Sequence, residues 1–171
     1  MKILLTRGTG GIGSAIKDSL QEHEFVSFFG TDPIDWVIFA HGVIDERVII
    51  HTFDVNTIKC IRDTEAFLPR VFKGIIYISS TAGIRGNTKF PIYSASKAAI
   101  NSYAETMSRT YPDVQFYALC PGPTDTKMWR SLSLPGEAQD PAEVAKAIKL
   151  IMDGHFKSGD IITIRNGEIT V

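Results

Sequence analysis

The chain has 171 residues, 44% of them apolar and 22% charged, with a formal net charge of −1. That length suffices for one domain burying roughly two-thirds of its unfolded surface, and the composition is that of an ordinary soluble globular protein. The charge balance gives no electrostatic basis for binding nucleic acid or an anionic membrane, and no apolar run is long enough to span a bilayer.

In chain order, strands and helices alternate. Lys2–Thr6 is a short apolar run, and no signal peptide is expected from the residues around it. A glycine-rich turn follows, and then Gly11–Glu22 carries Ile12, Ala15, Ile16 and Leu20 at helical spacing. Phe25–Phe29 reads as a second strand. Asp35–Ala40 reads as a third, its continuous apolar run suited to burial on both faces. Residues 54–71 form an expected helix with Val55, Ile58, Ile61, Ala66 and Leu68, and Gly74–Ser79 an expected strand. A long helix is predicted over 92–110, a strand over Val114–Leu119, and an irregular stretch over Lys127–Gln139. Asp140-Pro141-Ala142-Glu143 opens the last helix with an N-cap, a proline at the first position and an acidic first turn. Asp160–Ile164 is expected to close the sheet. The alternation predicts a single α/β domain with a Rossmann-like, doubly wound parallel sheet over residues 1–171. Cys60 and Cys120 lack any metal-ligand spacing, so they read as buried thiols in a reducing, cytoplasmic setting and no metal is expected.

Two segments carry chemistry. Gly8-Thr9-Gly10-Gly11-Ile12-Gly13 lies between a strand and a helix, where backbone N–H groups can approach a pyrophosphate at the positive end of the helix; the alternative is a plain tight turn. Tyr93 and Lys97 are four residues apart and share a helix face. A phenol has an unperturbed pKa of about 10. A neighbouring ammonium favours the phenolate, so the pair is expected to lower that value and move a proton near neutrality. The alternative is a solvated helix face.

Together these residues resemble the short-chain dehydrogenase/reductases. The family's glycine turn corresponds to Thr6-Arg7-Gly8-Thr9-Gly10-Gly11-Ile12-Gly13, and its Tyr-x-x-x-Lys pair to Tyr93 and Lys97. Ser80 stands at the family's catalytic serine, Asn56 at its asparagine, and Pro121, Gly122 and Thr126 at its Pro-Gly turn and later threonine. The resemblance implies that Tyr93 exchanges a proton with the substrate oxygen and Ser80 holds that oxygen. It implies that Lys97 tunes Tyr93 and bonds the nicotinamide ribose, and that Asn56 orders a water leading from Lys97 to solvent. It also implies a dinucleotide held by Thr6, Arg7, Gly8, Thr9, Gly11, Ile12, Gly13, Ala40, His41, Gly42, Tyr93, Lys97, Pro121, Gly122, Thr124 and Thr126. Relatives commonly pair through the helices at 54–71 and 92–110, so a homodimer or homotetramer is expected.

Three departures shape those expectations. Arg7 replaces the family's first glycine, which either distorts the turn or offers a guanidinium to a 2′-phosphate. Phe39-Ala40-His41-Gly42 replaces an Asn-Asn-Ala-Gly segment, and His41 reads as structural rather than catalytic. Few residues separate the second strand from the third, so a strand-and-helix section that walls the adenine site is expected to be missing, with weakened dinucleotide binding. Asp32 is the nearest acidic residue for a ribose and would select NAD, whereas Arg7 favours NADP. Thr124–Gln139, with Met128, Trp129, Leu132 and Leu134, reads as a short apolar lid for a small or moderately hydrophobic carbonyl or alcohol. The leading expectation is therefore an NAD(P)-dependent oxidoreductase with a slight preference for NADP. The alternative is a non-catalytic dinucleotide-binding regulator or sensor.

Overall fold

Seven strands form one sheet in the order β2-β1-β3-β4-β5-β6-β7, in a computed structural model that describes residues 1–171. They are β1 (Lys2–Thr6), β2 (Glu24–Phe25), β3 (Ile34–Phe39), β4 (Val71–Ile78), β5 (Gln115–Pro121), β6 (Ile161–Arg165) and β7 (Glu168–Thr170). All pairings are parallel except β6 with β7. The helices are α1 (Gly11–Ser19), α2 (Ile49–Phe53), α3 (Lys59–Phe67), α4 (Ala82–Arg85), α5 (Pro91–Thr110), α6 (Lys127–Ser131) and α7 (Pro141–Met152), with a wide π turn at Asp54–Ile58 joining α2 to α3. No helix is long and apolar enough to cross a membrane.

Alternation along the central strands divides the core in two. Ile3, Trp36, Ile38, Ile76, Ile78, Tyr117 and Leu119 face α1 and α7. Leu4, Val37, Phe39, Ile75, Tyr77 and Phe116 face α3 and α5. Burial on both faces explains the unbroken apolar run in β3. Register aligns Thr6, Phe39 and Tyr77, so the chain leaves β1, β3 and β4 at one edge of the sheet. The strand order reverses between β1 and β3, and a crevice outside those ends is where α/β folds bind ligands.

Several expectations need correction. The second strand is only Glu24–Phe25, because the Gly30 N–H turns back to the Ser27 carbonyl at 3.2 Å. No helix separates β2 from β3, in keeping with the expected missing section. The turn lays Phe28, still 38% exposed, against α3 instead: its ring meets Phe67 edge-on at 4.9 Å, and Lys59 Nζ lies 5.2 Å from its centroid. The helix expected at 54–71 begins at Ile49 and ends at Phe67, and β4 begins at Val71, three residues before the expected Gly74. The stretch expected to be irregular holds α6, capped where the Thr126 hydroxyl accepts the Trp129 N–H. The sheet closes on β7, not β6: Asn166 and Gly167 have φ of 50° and 80°, as a tight hairpin requires.

Replacing Phe28 by Ala is expected to lower unfolding free energy by about 1–2 kcal/mol, because it uncovers Phe67. Phe29→Ala, at a side chain 93% exposed, should change it by less than about 0.5 kcal/mol. Urea denaturation of both variants checks the contrast.

Candidate active site

Helix α5 carries Tyr93 and Lys97 on one face, and the Lys97 ammonium lies 5.8 Å from the Tyr93 ring centroid. Ser80, just past the end of β4, stands beside the phenol and favours its ionised form, while its Oγ accepts the Ala82 N–H at 3.2 Å. The expected lowering of the phenol does not occur. Burial pushes Tyr93 up to about 12, and only the Ser80 hydroxyl pulls it back. Lys97 is buried and donates to the Ile78 carbonyl at 2.9 Å, and burial lowers its own pKa. The ammonium is thus engaged by β4 rather than directed at the phenol.

Asn56 lies in the π turn, fully buried. Such wide turns recur at functional positions because they rotate one side chain out of helical register. Its carbonyl oxygen accepts the Val43 N–H at 2.8 Å, while its amide donates to the Val43 carbonyl at 2.9 Å and to Ser96 Oγ at 3.0 Å. Ser96 in turn donates to the Tyr93 carbonyl at 2.7 Å. A Cβ on Gly42 would lie 3.3 Å from Asn56 Oδ1 and 3.4 Å from Lys97 Nζ, so Gly42 is where the two side chains converge.

The glycine turn has the form of an anion cradle. No side chain caps α1, and the first bond of the turn is Ser14 N–H to the Gly10 carbonyl at 2.7 Å, which leaves the Gly11–Gly13 amides open. A Cβ on Gly13 would collide with the Arg7 carbonyl, and one on Gly11 would meet Thr126 at 2.7 Å. The geometry therefore brings Thr126 to the turn and requires glycine at 13. Ile12 is partly buried against the core. These features fit a dinucleotide pyrophosphate.

Arg7 adopts φ of 52°, the left-handed conformation that accounts for glycine at this position in the family. Its guanidinium reaches the Gly42 carbonyl at 3.4 Å, across the ends of β1 and β3. Lys17 folds over Gly8, its Nζ 5.9 Å from the Phe25 ring. Neither cation has a carboxylate partner. Asp32, expected beside the ribose, is at the wrong end of the sheet. It pairs with Lys2 at the start of β1, and its carbonyl accepts two bonds from Arg70, next to the start of β4. The turn after β2 carries it away from the strand ends that face the cradle.

His41 is buried and ties strands together in place of the family's asparagine. The Thr6 hydroxyl accepts the Ala40 N–H at 2.9 Å, which leaves its own proton for His41 Nδ1 at 2.8 Å. His41 Nε2 lies 3.4 Å from Cys60 Sγ. Burial lowers the His41 pKa to about 4, helped by the Lys97 and Lys59 cations. Cys60 and Cys120 are free, and burial pushes both thiols up to about 11. Thr124 is engaged internally: its hydroxyl donates to the Gly122 carbonyl at 2.9 Å and receives the Gln139 amide at 3.3 Å. That bond, with Asp125 N–H to the Gln139 carbonyl, pins the base of the 124–139 segment. Trp129, Leu134 and Ala138 line an open depression of about 420 Å³ within this segment, beside the Asp125–Arg130 ion pair.

One site residue escaped the sequence reading. Phe90, at the N-cap of α5, has no polar side chain to offer. Glu46 takes its place from the loop after β3: Oε2 accepts the Ile92 N–H at 2.9 Å and Oε1 the Tyr93 N–H at 2.8 Å. A cap lying 46 positions before the helix leaves no local sequence signature.

The chain belongs to the short-chain dehydrogenase/reductase family: the family model for short chain dehydrogenases matches residues 31–135, which include Asn56, Ser80, Tyr93 and Lys97. It is 27% identical over 103 residues to carbonyl reductase family member 4 of Danio rerio, covering 54% of this chain and 44% of that protein. An uncharacterized oxidoreductase of Saccharomyces cerevisiae is 28% identical over 130 residues, covering 68% and 51%. The chain thus spans about half the length of these curated relatives. A short chain dehydrogenase family protein from Francisella tularensis shares the fold with a TM-score of 0.84 at 17% identity, over 97% of both chains.

Because the His41 pKa is about 4 folded against 6.5 ordinarily, the unfolded chain binds more protons between those values. Stability is therefore complete above pH 6.5 and falls as pH drops toward 4, by about 3 kcal/mol from this group alone. His41→Ala is expected to flatten that part of the stability–pH curve, measured by denaturation at half-unit steps.

Proposed function

We propose that the protein is an NAD(P)-dependent oxidoreductase that interconverts a carbonyl and an alcohol, with Tyr93 as the general acid/base. The observation that carries this reading is the convergence of Tyr93, Ser80 and Lys97 at the strand ends, one helical turn apart on α5 and opposite the end of β4. Ser80 stands beside the phenol and would hold a substrate oxygen there. Tyr93 stays protonated at neutral pH, which is the form that gives a proton to a carbonyl oxygen. Lys97 would bond the nicotinamide ribose, and Asn56 would order water beside Gly42. The bound nicotinamide supplies or takes the hydride. Gly8, Thr9, Gly11, Ile12 and Gly13 would hold its pyrophosphate, and Ala40, His41, Gly42, Pro121, Gly122, Thr124 and Thr126 would serve the rest of the nucleotide. Met128, Trp129, Leu132 and Leu134 of the 124–139 segment would offer apolar contacts to a small or moderately hydrophobic substrate.

Of the two nucleotides, we read NADP(H). Arg7 and Lys17 are unpaired cations at the glycine turn and the tip of β2, and Asp32 lies too far away to oppose a 2′-phosphate. Exposed Ile49, Ile50 and Ile58 on α2 and the π turn support a homo-oligomer formed through this face and α5.

Titration followed by nicotinamide fluorescence is expected to give tighter binding for NADPH than for NADH. Arg7→Gly should weaken NADPH about tenfold or more by removing a charge-assisted contact, while NADH changes less than about twofold. The same variant should raise the Tm, because glycine relieves the positive φ at a non-glycine residue. Unchanged or improved NADPH affinity in Arg7→Gly would sink the 2′-phosphate assignment. Tyr93→Phe is expected to reduce turnover by at least about 100-fold while NADPH binding stays within about twofold. If wild-type protein binds nucleotide but reduces none of a panel of small aldehydes and ketones, the regulator reading replaces the enzyme.

A further inference from the structure

We propose that Glu46 is a positioning residue for Tyr93, a carboxylate that reaches from the loop after β3 to fix the first turn of the helix carrying the acid/base. The inference rests on the reading of Tyr93 given above.

The first turn of α5 lacks a cap of its own. Phe90 offers no acceptor side chain, and Pro91 has no N–H. The Ser94 N–H is satisfied by the Phe90 carbonyl at 2.9 Å. The Ser94 hydroxyl is engaged by that same carbonyl and by the Asn87 N–H. That leaves the amides of Ile92 and Tyr93, and the two oxygens of Glu46 take one each at 2.9 and 2.8 Å. A carboxylate here also meets the positive end of a 20-residue helix.

The choice of amide makes this more than a cap. One of the two donors is the backbone N–H of Tyr93 itself. Its carbonyl is held from the other side by Ser96, which Asn56 grips. Tyr93 is therefore fixed at both ends of its own main chain, and the origin of its side chain cannot drift relative to Ser80. The Glu46 loop is itself anchored. Asn56 binds both polar groups of Val43, the Thr52 hydroxyl donates to the Asp45 carbonyl at 2.6 Å, and the Arg47 N–H meets Asp45 Oδ1 at 3.1 Å. A proton transfer depends on placement to a fraction of an ångström, so losing one anchor should lower kcat more than it alters substrate affinity.

The test uses the full chain with ring-¹³C-labelled tyrosine, in wild-type, Glu46→Ala, Glu46→Gln and Tyr93→Phe forms. The Tyr93 ring signals are assigned by their loss in Tyr93→Phe. Butane-2,3-dione with NADPH is the probe reaction, and amides of α7 report on the global fold. In Glu46→Ala the Ile92 and Tyr93 amides should exchange about tenfold faster and the Tyr93 ring signals should shift. The kcat should fall about tenfold or more, with KM and NADPH affinity within about twofold. Glu46→Gln retains one acceptor oxygen and should restore the ring signals and most of kcat. The proposal is overturned if Glu46→Ala leaves ring signals and kcat at wild-type values, whether or not the amides exchange faster. Wild-type protein that reduces neither the dione nor any of the aldehyde and ketone panel, or Tyr93→Phe that reduces the dione as fast as wild type, removes the acid/base reading instead. In either case the ring signals still decide whether Glu46 holds Tyr93.

Discussion

The amide of Asn56 is the point on which the candidate site depends. It is fully buried and makes three hydrogen bonds, two to the main chain of Val43 and one to Ser96. Through these bonds it joins the loop after β3 to the wide turn before α3 and to α5. No other side-chain type of that size offers an acceptor and two donors at once, and any substitution would strand buried polar groups at about 1–3 kcal/mol each. The wide turn is what aims Asn56 inward. Thr57, the next residue, is buried beside it and donates to the Ser96 carbonyl at 2.9 Å, so two successive residues of one turn grip the same point on α5.

Shortening the chain between β2 and β3 removes a wall of the fold without exposing the core it would have covered. Phe28 substitutes for that wall on the α3 side, packed against Phe67 and beside the Lys59–Asp63 pair, which is 2.6 Å across. The same turn carries Asp32 to the far end of the sheet, where Lys2 and Arg70 hold it. One local event, the tight turn at Ser27–Gly30, therefore both seals the edge and removes the acidic group from the nucleotide side. The charge left at that end is cationic, from Arg7 and Lys17.

Much of this was legible in the sequence, and the remainder was hidden for identifiable reasons. Strands with continuous apolar runs and the Asp140 cap of α7 are local features, and both are found where the pattern puts them. Asn166-Gly167 is a local hairpin signal, and the positive φ of both residues turns the chain from β6 into β7. The position of Asp32 was not readable from spacing, because a turn two residues past a strand can send the chain toward either end of the sheet. Glu46 was invisible for a stronger reason. Capping rules look within four residues of a helix start, and this cap arrives through tertiary folding. The partners of His41, Thr6 and Cys60, come from two other elements, and only the fold names them.

The Tyr93–Lys97 spacing, the clearest motif in the chain, establishes proximity but not the direction of the pKa shift. Proximity of an ammonium should favour a phenolate, and burial should oppose it. Burial prevails here: the phenol is pushed up to about 12, while the ammonium is bonded to the Ile78 carbonyl and its own charge is disfavoured by desolvation. The Ser80 hydroxyl is the one group that favours the phenolate. On the proposed reading, a site built this way would keep its proton on Tyr93 until a ligand supplies further hydrogen bonds to the phenol oxygen. Accurate placement of the phenol beside Ser80 then matters more than its resting acidity, and the anchors on both sides of the Tyr93 backbone provide that placement.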